Sequence, residues 1–252
     1  MRRFLLPALL LAALAGAWEL YVDLGGADPL LLPAPHSVAS ALYRDRGLLW
    51  SDFAVTAREV LLGILVAAVS GVALAIAIHF SATLRRATYP LLIGSQAIPF
   101  PIVAYLLVLW LGFGILPKLI VIGLVSFFPI VVTTRSALAA VDPALLKLMR
   151  TFDAPRWRTF WHVELPSALP GLFTGAKIAV AVAVIGDVFA ELSGASSGLG
   201  FRYQQSEAQL LIPRAYAIVL ILCAFAVLLF AVLTLAERLA LPWAYQPTGE
   251  RT

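Results

Sequence analysis

The stretch LLKLMRTFDAPRWRTFWHVELPSALPGL, residues 145–172, separates two long apolar runs of the chain. Its four basic side chains are Lys147, Arg150, Arg156 and Arg158. Basic residues between apolar runs are typical of a cytoplasmic loop between membrane-spanning helices, because Lys and Arg collect in the loops that stay inside. The stretch therefore predicts a helical membrane protein with a basic insert on the cytoplasmic side.

Composition supports the same class. Of the 252 residues, 62% are hydrophobic and only 13% are charged, whereas soluble domains have about 25% charged residues. The net charge of +4 is interpreted as loop charge and not as a sign of nucleic-acid binding. The one cysteine, Cys223, has no partner for a disulfide or a metal site.

Six apolar runs are each close to the roughly 20 residues that cross a bilayer. They cover residues 4–24, 60–80, 91–111, 117–138, 168–192 and 211–239. The pattern predicts an all-α membrane protein with six transmembrane helices in a single domain, residues 1–252. The first run is either a retained span or a cleaved signal peptide, and in both cases the chain emerges outside. After it, His36 begins a short amphipathic helix.

The basic residues also predict the orientation. They are denser in the segments that lie inside when both termini are cytoplasmic, and densest in the insert. Near the inner ends of the spans, we expect Lys177, Arg135 and His79 to snorkel toward the interface. No set of residues at ligand spacing predicts a metal site.

The insert, residues 142–166, reads as two short helices. Asp142 and Pro143 favour a helix start, and the residue before Pro155 disfavours helix, which places the end of the first helix near 152 or 153. One face of this helix is apolar: Leu145, Leu148, Met149 and Phe152. A second helix, RWRTFWHVEL, is expected to end at Leu165-Pro166. Such a pair either docks into a partner or lies on the inner leaflet, and the residues alone leave both open.

The insert resembles the cytoplasmic loop motif of bacterial ABC importer permeases, E-A-A-x-x-x-G-x9-I-x-L-P. Leu165-Pro166 match its end, Val163 takes the isoleucine position and Asp153 the glycine position. The E-A-A positions fall on Lys147, Leu148 and Met149. Further segments, LPAPHSV, LVLWLGFGILPKLI and GLGF, are similar to the nitrate, sulfonate, taurine and thiamine-precursor branch of that family.

The resemblance implies a type I ABC importer permease (MetI-like) fold in the bacterial inner membrane, without enzymatic activity of its own. The partners it implies are two ATPase subunits carrying ATP and Mg²⁺, a second permease copy in a homodimer, and an external substrate-binding protein. No phosphate-binding loop and no cofactor site occur in this sequence. The implied substrate is a thiamine-pyrimidine precursor or similar heterocycle, otherwise a sulfonate, taurine or nitrate. The implied ATPase-coupling residues are Lys147, Leu148, Met149, Arg150, Asp153, Ala154, Val163, Leu165 and Pro166.

Two departures from the motif stand out. The E-A-A positions carry no acid, and Asp153 replaces a glycine. A left-handed residue there would cost a non-glycine on the order of 1 kcal/mol, less for Asp than for most. We hypothesise that the Asp153 carboxylate also caps the second helix by accepting from the Arg156 N–H.

Pathway candidates lie in two spans. Asp187 and Glu191, four residues apart, either contact substrate and gate the outer mouth or form a satisfied interfacial pair. Pro99 and Pro101 either open a pathway or only kink a packed helix.

Two glycines, Gly171 and Gly175, allow close helix packing within one subunit or across a dimer. The sequence GASSG, residues 194–198, matches G-x-S-x-G but lacks the strand–turn–helix context of a hydrolase. The alternative to an ABC permease is an ion-gradient-driven secondary transporter, which predicts inverted repeats and paired ion-site residues. The sequence shows neither pattern.

Overall fold

The computed structural model describes residues 2–28 and 30–245, and the regular structure in this part of the chain is entirely helical. Besides α-helices it contains a π-helical turn, Phe160–Glu164, and a 3₁₀ turn, Pro242–Tyr245. The α-helices in chain order are α1 (Arg2–Asp23), α2 (Pro35–Arg44), α3 (Arg46–Phe80), α4 (Ala82–Ser95), α5 (Phe100–Leu111), α6 (Ile115–Ala139), α7 (Pro143–Thr151), α8 (Arg156–Thr159), α9 (Leu165–Leu192), α10 (Leu199–Ala208) and α11 (Ile212–Ala240).

Four of the described helical segments are long and apolar enough to cross a membrane: α3, α6, the continuous segment Arg156–Leu192, and α11. The bent pair of α4 and α5 brings the number to five if it counts as one span. Helix α1 covers the first predicted run. The all-α membrane class is confirmed, and the count of six spans stays a prediction.

The second predicted span is too short at its start. Helix α3 begins at Arg46 and runs for 35 residues. The apolar run does not include its first turns, because they carry buried polar residues in place of apolar ones. Asp52, Thr56 and Glu59 are all buried there. A hydropathy pattern cannot distinguish such a segment from a loop.

The third predicted span is not one straight helix. The chain breaks after α4, and α5 leaves at an angle of 97°. Pro99 is the N-cap of α5 and Pro101 lies in its first turn, so both prolines sit where a missing N–H costs no internal helix bond. The two prolines therefore mark a break between helices and not a kink within one.

Helix α6 is the centre of the bundle, and α3 packs closely along one side of it. Small residues recur at every fourth position of α3 and are all buried: Gly63, Ala67, Gly71 and Ala75. A Cβ atom on Gly63 would overlap the side chain of Ile122 on α6. In a bilayer, where apolar burial does not drive helix association, such close approach is the main source of attraction.

Helix α9 packs against another side of α6 by the same device. A Cβ atom on Gly171 would overlap Ala137, and one on Gly175 would overlap the Thr133 hydroxyl. Both glycines thus contact α6 of the same chain. Their close packing positions the start of α9 directly after the insert.

The apolar core joins four helices. Val60 of α3, Ile122 of α6, Ala183 and Val184 of α9, and Phe225 of α11 form one buried cluster. At the end of the bundle opposite the insert, the amphipathic helix predicted after His36 is confirmed as α2.

Candidate functional site

The first helix of the insert forms as its sequence predicts. The Asp142 carboxylate accepts from the Ala144 N–H at 2.7 Å, and Pro143 occupies the first turn of α7. The helix ends at Thr151. The predicted start and end are confirmed.

Asp153 adopts the left-handed conformation that the motif glycine would provide, with φ of 49°. Its N–H donates to the Arg150 carbonyl at 3.0 Å, and the Ala154 N–H donates to the Met149 carbonyl at 3.1 Å. These two bonds form a Schellman motif, which normally carries glycine at this position.

The hypothesised cap from Asp153 to Arg156 is wrong. The residue preceding α8 is Pro155, and α8 has no side-chain cap. A capping side chain belongs to the residue directly before the helix. That residue is the extended Pro155, which has no side-chain oxygen. The strained aspartate has no compensating bond to α8.

The expected end of the second helix at Leu165-Pro166 is also wrong. Helix α8, the π turn and α9 run on as one segment, Arg156–Leu192. The Leu165 N–H donates to the Phe160 carbonyl five residues back. A π turn widens the helix just before Pro166, where the missing N–H and the ring would disrupt α-helical bonding. The second helix of the insert is therefore a continuous extension of a membrane-spanning helix, whereas α7 is a separate helix.

An aromatic cluster fixes this extension to the bundle. Phe160 is only 1% exposed and packs between Leu138 of α6 and Ala168 of α9. Its ring centroid lies 5.0 Å from that of Phe80 on α3 and 6.2 Å from that of Trp157 on α8. These contacts pack the extension against α3 and α6.

Ion pairs add to these contacts at the insert end of the bundle. The His79 Nε2 lies 2.8 Å from a carboxylate oxygen of Glu164, and Lys177 bonds the Glu237 carboxylate. The expectation that His79 and Lys177 snorkel is wrong, because acids on neighbouring helices pair with them inside the bundle.

The outer face of α7 is apolar and is exposed among the described residues. Leu145, Leu148 and Phe152 are 42%, 52% and 73% exposed, and Trp157 of α8 is 64% exposed. No residue of α7 is buried. Apolar side chains exposed together on a polar segment mark a contact surface.

The other predicted coupling residues lie around this surface. Arg150 and Ala154 face a cavity that His79 and Glu164 also line. Val163 and Pro166 line a groove with Leu145. The remaining members are exposed or half-buried on α7, in the link that follows it and at the start of α9: Lys147, Leu148, Met149, Asp153 and Leu165.

The opposite end of the bundle contains a buried cluster of charged residues. The Lys118 Nζ of α6 donates to both carboxylate oxygens of Glu59 on α3 at 2.8 Å. Glu191 of α9 accepts from the Thr56 hydroxyl at 2.7 Å and from the Gly200 N–H. These bonds connect three long helices to the start of α10.

A neighbouring ion pair extends the cluster. Asp52 of α3 accepts from the Arg202 Nε of α10 at 2.6 Å and from the Gly198 N–H at 3.2 Å. The GASSG segment is thus a loop held over the cluster by backbone N–H groups.

Asp187 and Glu191 are both fully buried, and Asp187 lies in the same group as Glu59. A separate cavity lies at the break between α4 and α5. Phe100 of α5 and Val182 and Ile185 of α9 line it. The two predicted acids therefore face α3, away from the break that contains Pro99, and their gating role stays a prediction.

Sequence reasoning missed the partners of these acids. Thr56 and Glu59 lie just before the predicted second span and Lys118 at the start of the predicted fourth, and the apolar pattern gives no sign that they meet. The available signal was Glu59 itself, an acid one residue before a long apolar run, with Thr56 one turn earlier on the same helix face.

The fold is that of a polytopic helical membrane protein. Its exposed two-helix insert is joined through α8 to one spanning helix, an arrangement expected of a transport subunit driven by a partner. The chain belongs to the family of binding-protein-dependent transport system inner membrane components, whose family model matches residues 60–242. Members are permease subunits of ABC transporters and not enzymes.

Relatives match along most of the chain. A probable ABC transporter permease protein of Haemophilus influenzae is 34% identical over 90% of this chain and 93% of its own length. The formylaminopyrimidine transport permease protein ThiX of Halalkalibacterium halodurans is 33% identical over 94% of this chain and 95% of its own. The taurine transport system permease protein TauC of Escherichia coli is 30% identical over 92% and 87%.

A solved structure confirms the fold. The crystal structure of an amino acid ABC transporter with histidines covers 80% of this chain and 96% of that chain, with a TM-score of 0.62 and 13% identity. The predicted ABC permease class is confirmed, and nothing in these findings supports an ion-gradient-driven transporter.

Proposed function

We propose that this chain is the membrane subunit of an ATP-driven importer, and that α7 and α8 dock into a separate ATPase subunit. The observation that carries the proposal is the apolar face of α7, with Leu145, Leu148 and Phe152 exposed among the described residues. An inner-leaflet position is the other way to cover such a face. The continuity of α8 with α9 favours docking, since it joins the insert directly to a membrane-spanning helix.

The mechanism follows from that connection. When two ATPases close on ATP, each would move the insert docked on it. Phe160 and the π turn would transmit this movement into α9 and, through Phe80, into α3. The chain itself performs no bond chemistry, and ATP and Mg²⁺ would bind only to the partner.

The pathway would form between two copies of this chain in the inner membrane. In the proposed topology six spans leave both termini in the cytoplasm and α10 outside, where an external binding protein delivers substrate. The break between α4 and α5 supports a pathway there, because its backbone polar groups need a cavity or a neighbour inside a membrane. Ser95 and Gln96 line the cavity at this break.

The proposed substrate is a small organic nutrient, with a thiamine-pyrimidine precursor or a similar heterocycle first. The ThiX relative is named for formylaminopyrimidine transport, and TauC is named for taurine transport. Sulfonate, taurine and nitrate are the alternatives. The test is uptake of each compound by cells that express the complete transporter, compared with cells lacking this chain. The compound whose uptake depends most on this chain is the substrate.

Docking has its own test. Leu148→Asp places a charge on the exposed apolar face and should abolish co-purification of the ATPase, while the permease remains folded. Leu30→Asp is the matched control, because Leu30 is 55% exposed at the other end of the bundle. Equal ATPase recovery from both variants would contradict docking through α7.

A further inference from the structure

The buried cluster opposite the insert holds more acid than base. Asp52, Glu59, Asp187 and Glu191 are each at most 6% exposed. Two basic residues pair with this group, Lys118 with Glu59 and Arg202 with Asp52.

Asp187 and Glu191 therefore have no basic partner among the described residues of the cluster. Ionised carboxylates away from water are strongly destabilising unless their charge is balanced. A positive ligand or bound protons must balance the charge.

Asp187 is the group whose surroundings point to a ligand. It is 0% exposed, and no donor group in the described part of the chain reaches either of its carboxylate oxygens, which lie beside the acid Glu59. Native structures rarely leave both oxygens of a buried carboxylate unsatisfied. Glu191, by contrast, receives bonds from Thr56 and Gly200.

The geometry suits a single ion. One carboxylate oxygen each from Glu59, Asp187 and Glu191 lie within 4.8 Å of one another. Oxygens bound on opposite sides of Ca²⁺ are about 5 Å apart, and those around Mg²⁺ about 4 Å. Carboxylates from two helices thus lie close enough together to bind one cation that prefers oxygen ligands.

We propose that Glu59, Asp187 and Glu191 bind a divalent cation, Ca²⁺ or Mg²⁺, which joins α3 to α9 beneath the Gly198 loop. Two positive charges balance the two unpaired carboxylates. Lys118 stays bonded to Glu59, so the Glu59 carboxylate is shared between the ammonium group and the ion. The inference goes beyond transport and does not depend on the substrate.

Metal content of the purified protein tests the proposal. The full chain is purified with its ATPase, free of nucleotide, stripped with EDTA and titrated with Ca²⁺ or Mg²⁺ alone. We expect about one ion per permease chain by elemental analysis and a rise in the melting temperature with ion concentration. Asp187→Asn and Glu191→Gln should each weaken binding at least about tenfold, because each removes a charged ligand.

Glu207→Gln is the matched control, since it neutralises an exposed acid on the adjacent helix α10, and it should bind the ion as wild type does. Retention of neither ion by the wild-type complex at pH 7.5 would overturn the proposal. So would equal ion binding by Asp187→Asn and wild type, which would place the ion elsewhere. A wild-type complex that gains stability only on acidification would assign the two charges to protons and overturn it as well.

Discussion

Replacing Phe160 tests how strongly the insert is anchored to the bundle. Phe160→Ala removes a ring that is 1% exposed and packs against Phe80, Leu138 and Ala168. Truncation of a core phenylalanine to alanine costs about 3–5 kcal/mol, the transfer term plus the cavity. For a chain of this length, about 2–4 °C is lost per kcal/mol, so the melting temperature should fall by roughly 6–20 °C.

The assay is thermal unfolding of the detergent-purified permease, followed by tryptophan fluorescence. Phe160→Leu keeps most of the volume and should cost less than about 1.5 kcal/mol. Phe152→Ala is the matched control, because Phe152 is 73% exposed on the insert and should leave the melting temperature nearly unchanged. Equal melting temperatures for Phe160→Ala and Phe152→Ala would refute the anchoring role.

Three further substitutions test the local structure. Lys118→Met leaves the buried Glu59 carboxylate unpaired and should lower stability by about 3–5 kcal/mol in EDTA, measured by thermal unfolding; an unchanged melting temperature would contradict the buried pair. Gly198→Ala would overlap the Glu191 carboxylate at a φ of 110° and should increase protease cleavage of the loop, while equal cleavage would show that the loop tolerates a side chain. Asp153→Gly should raise stability by up to about 1 kcal/mol by relieving the left-handed strain, and a loss of stability would show that the aspartate side chain has a role of its own.

The insert was the part of the fold most predictable from sequence. Asp142 and Pro143 provide local start signals, and Pro155 provides a stop signal that acts over a few residues. The motif resemblance placed Asp153 at a glycine position, and its positive φ follows from that position. Local chemistry is enough where the determining contacts lie close in sequence.

The continuity of α8 with α9 escaped prediction because Pro166 is ambiguous. A proline usually ends a helix when the preceding turn is α-helical. Here the π turn at residues 160–164 removes the conflict, and its first residue, Phe160, packs against α3 and α6. Sequence spacing alone carries no sign of that packing.

The buried charge cluster was out of reach for a related reason. Lys118 and Glu59 are 59 residues apart in the chain, and their pairing depends on how α3 and α6 pack. The apolar pattern places Glu59 just outside one predicted span and Lys118 at the start of another, whereas the small-residue stripe of α3 lets the two helices approach closely. Asp187 was found because an acid inside an apolar run is visible in sequence, but its surroundings were not.

ATP-dependent uptake tests the central claim most directly. The permease is reconstituted into liposomes with its ATPase and its external binding protein, and uptake of radiolabelled substrate is followed with and without ATP. We expect uptake only when ATP, the ATPase and the binding protein are all present, and we expect no uptake with Leu148→Asp. Uptake that continues without ATP, driven by an ion gradient, would contradict it.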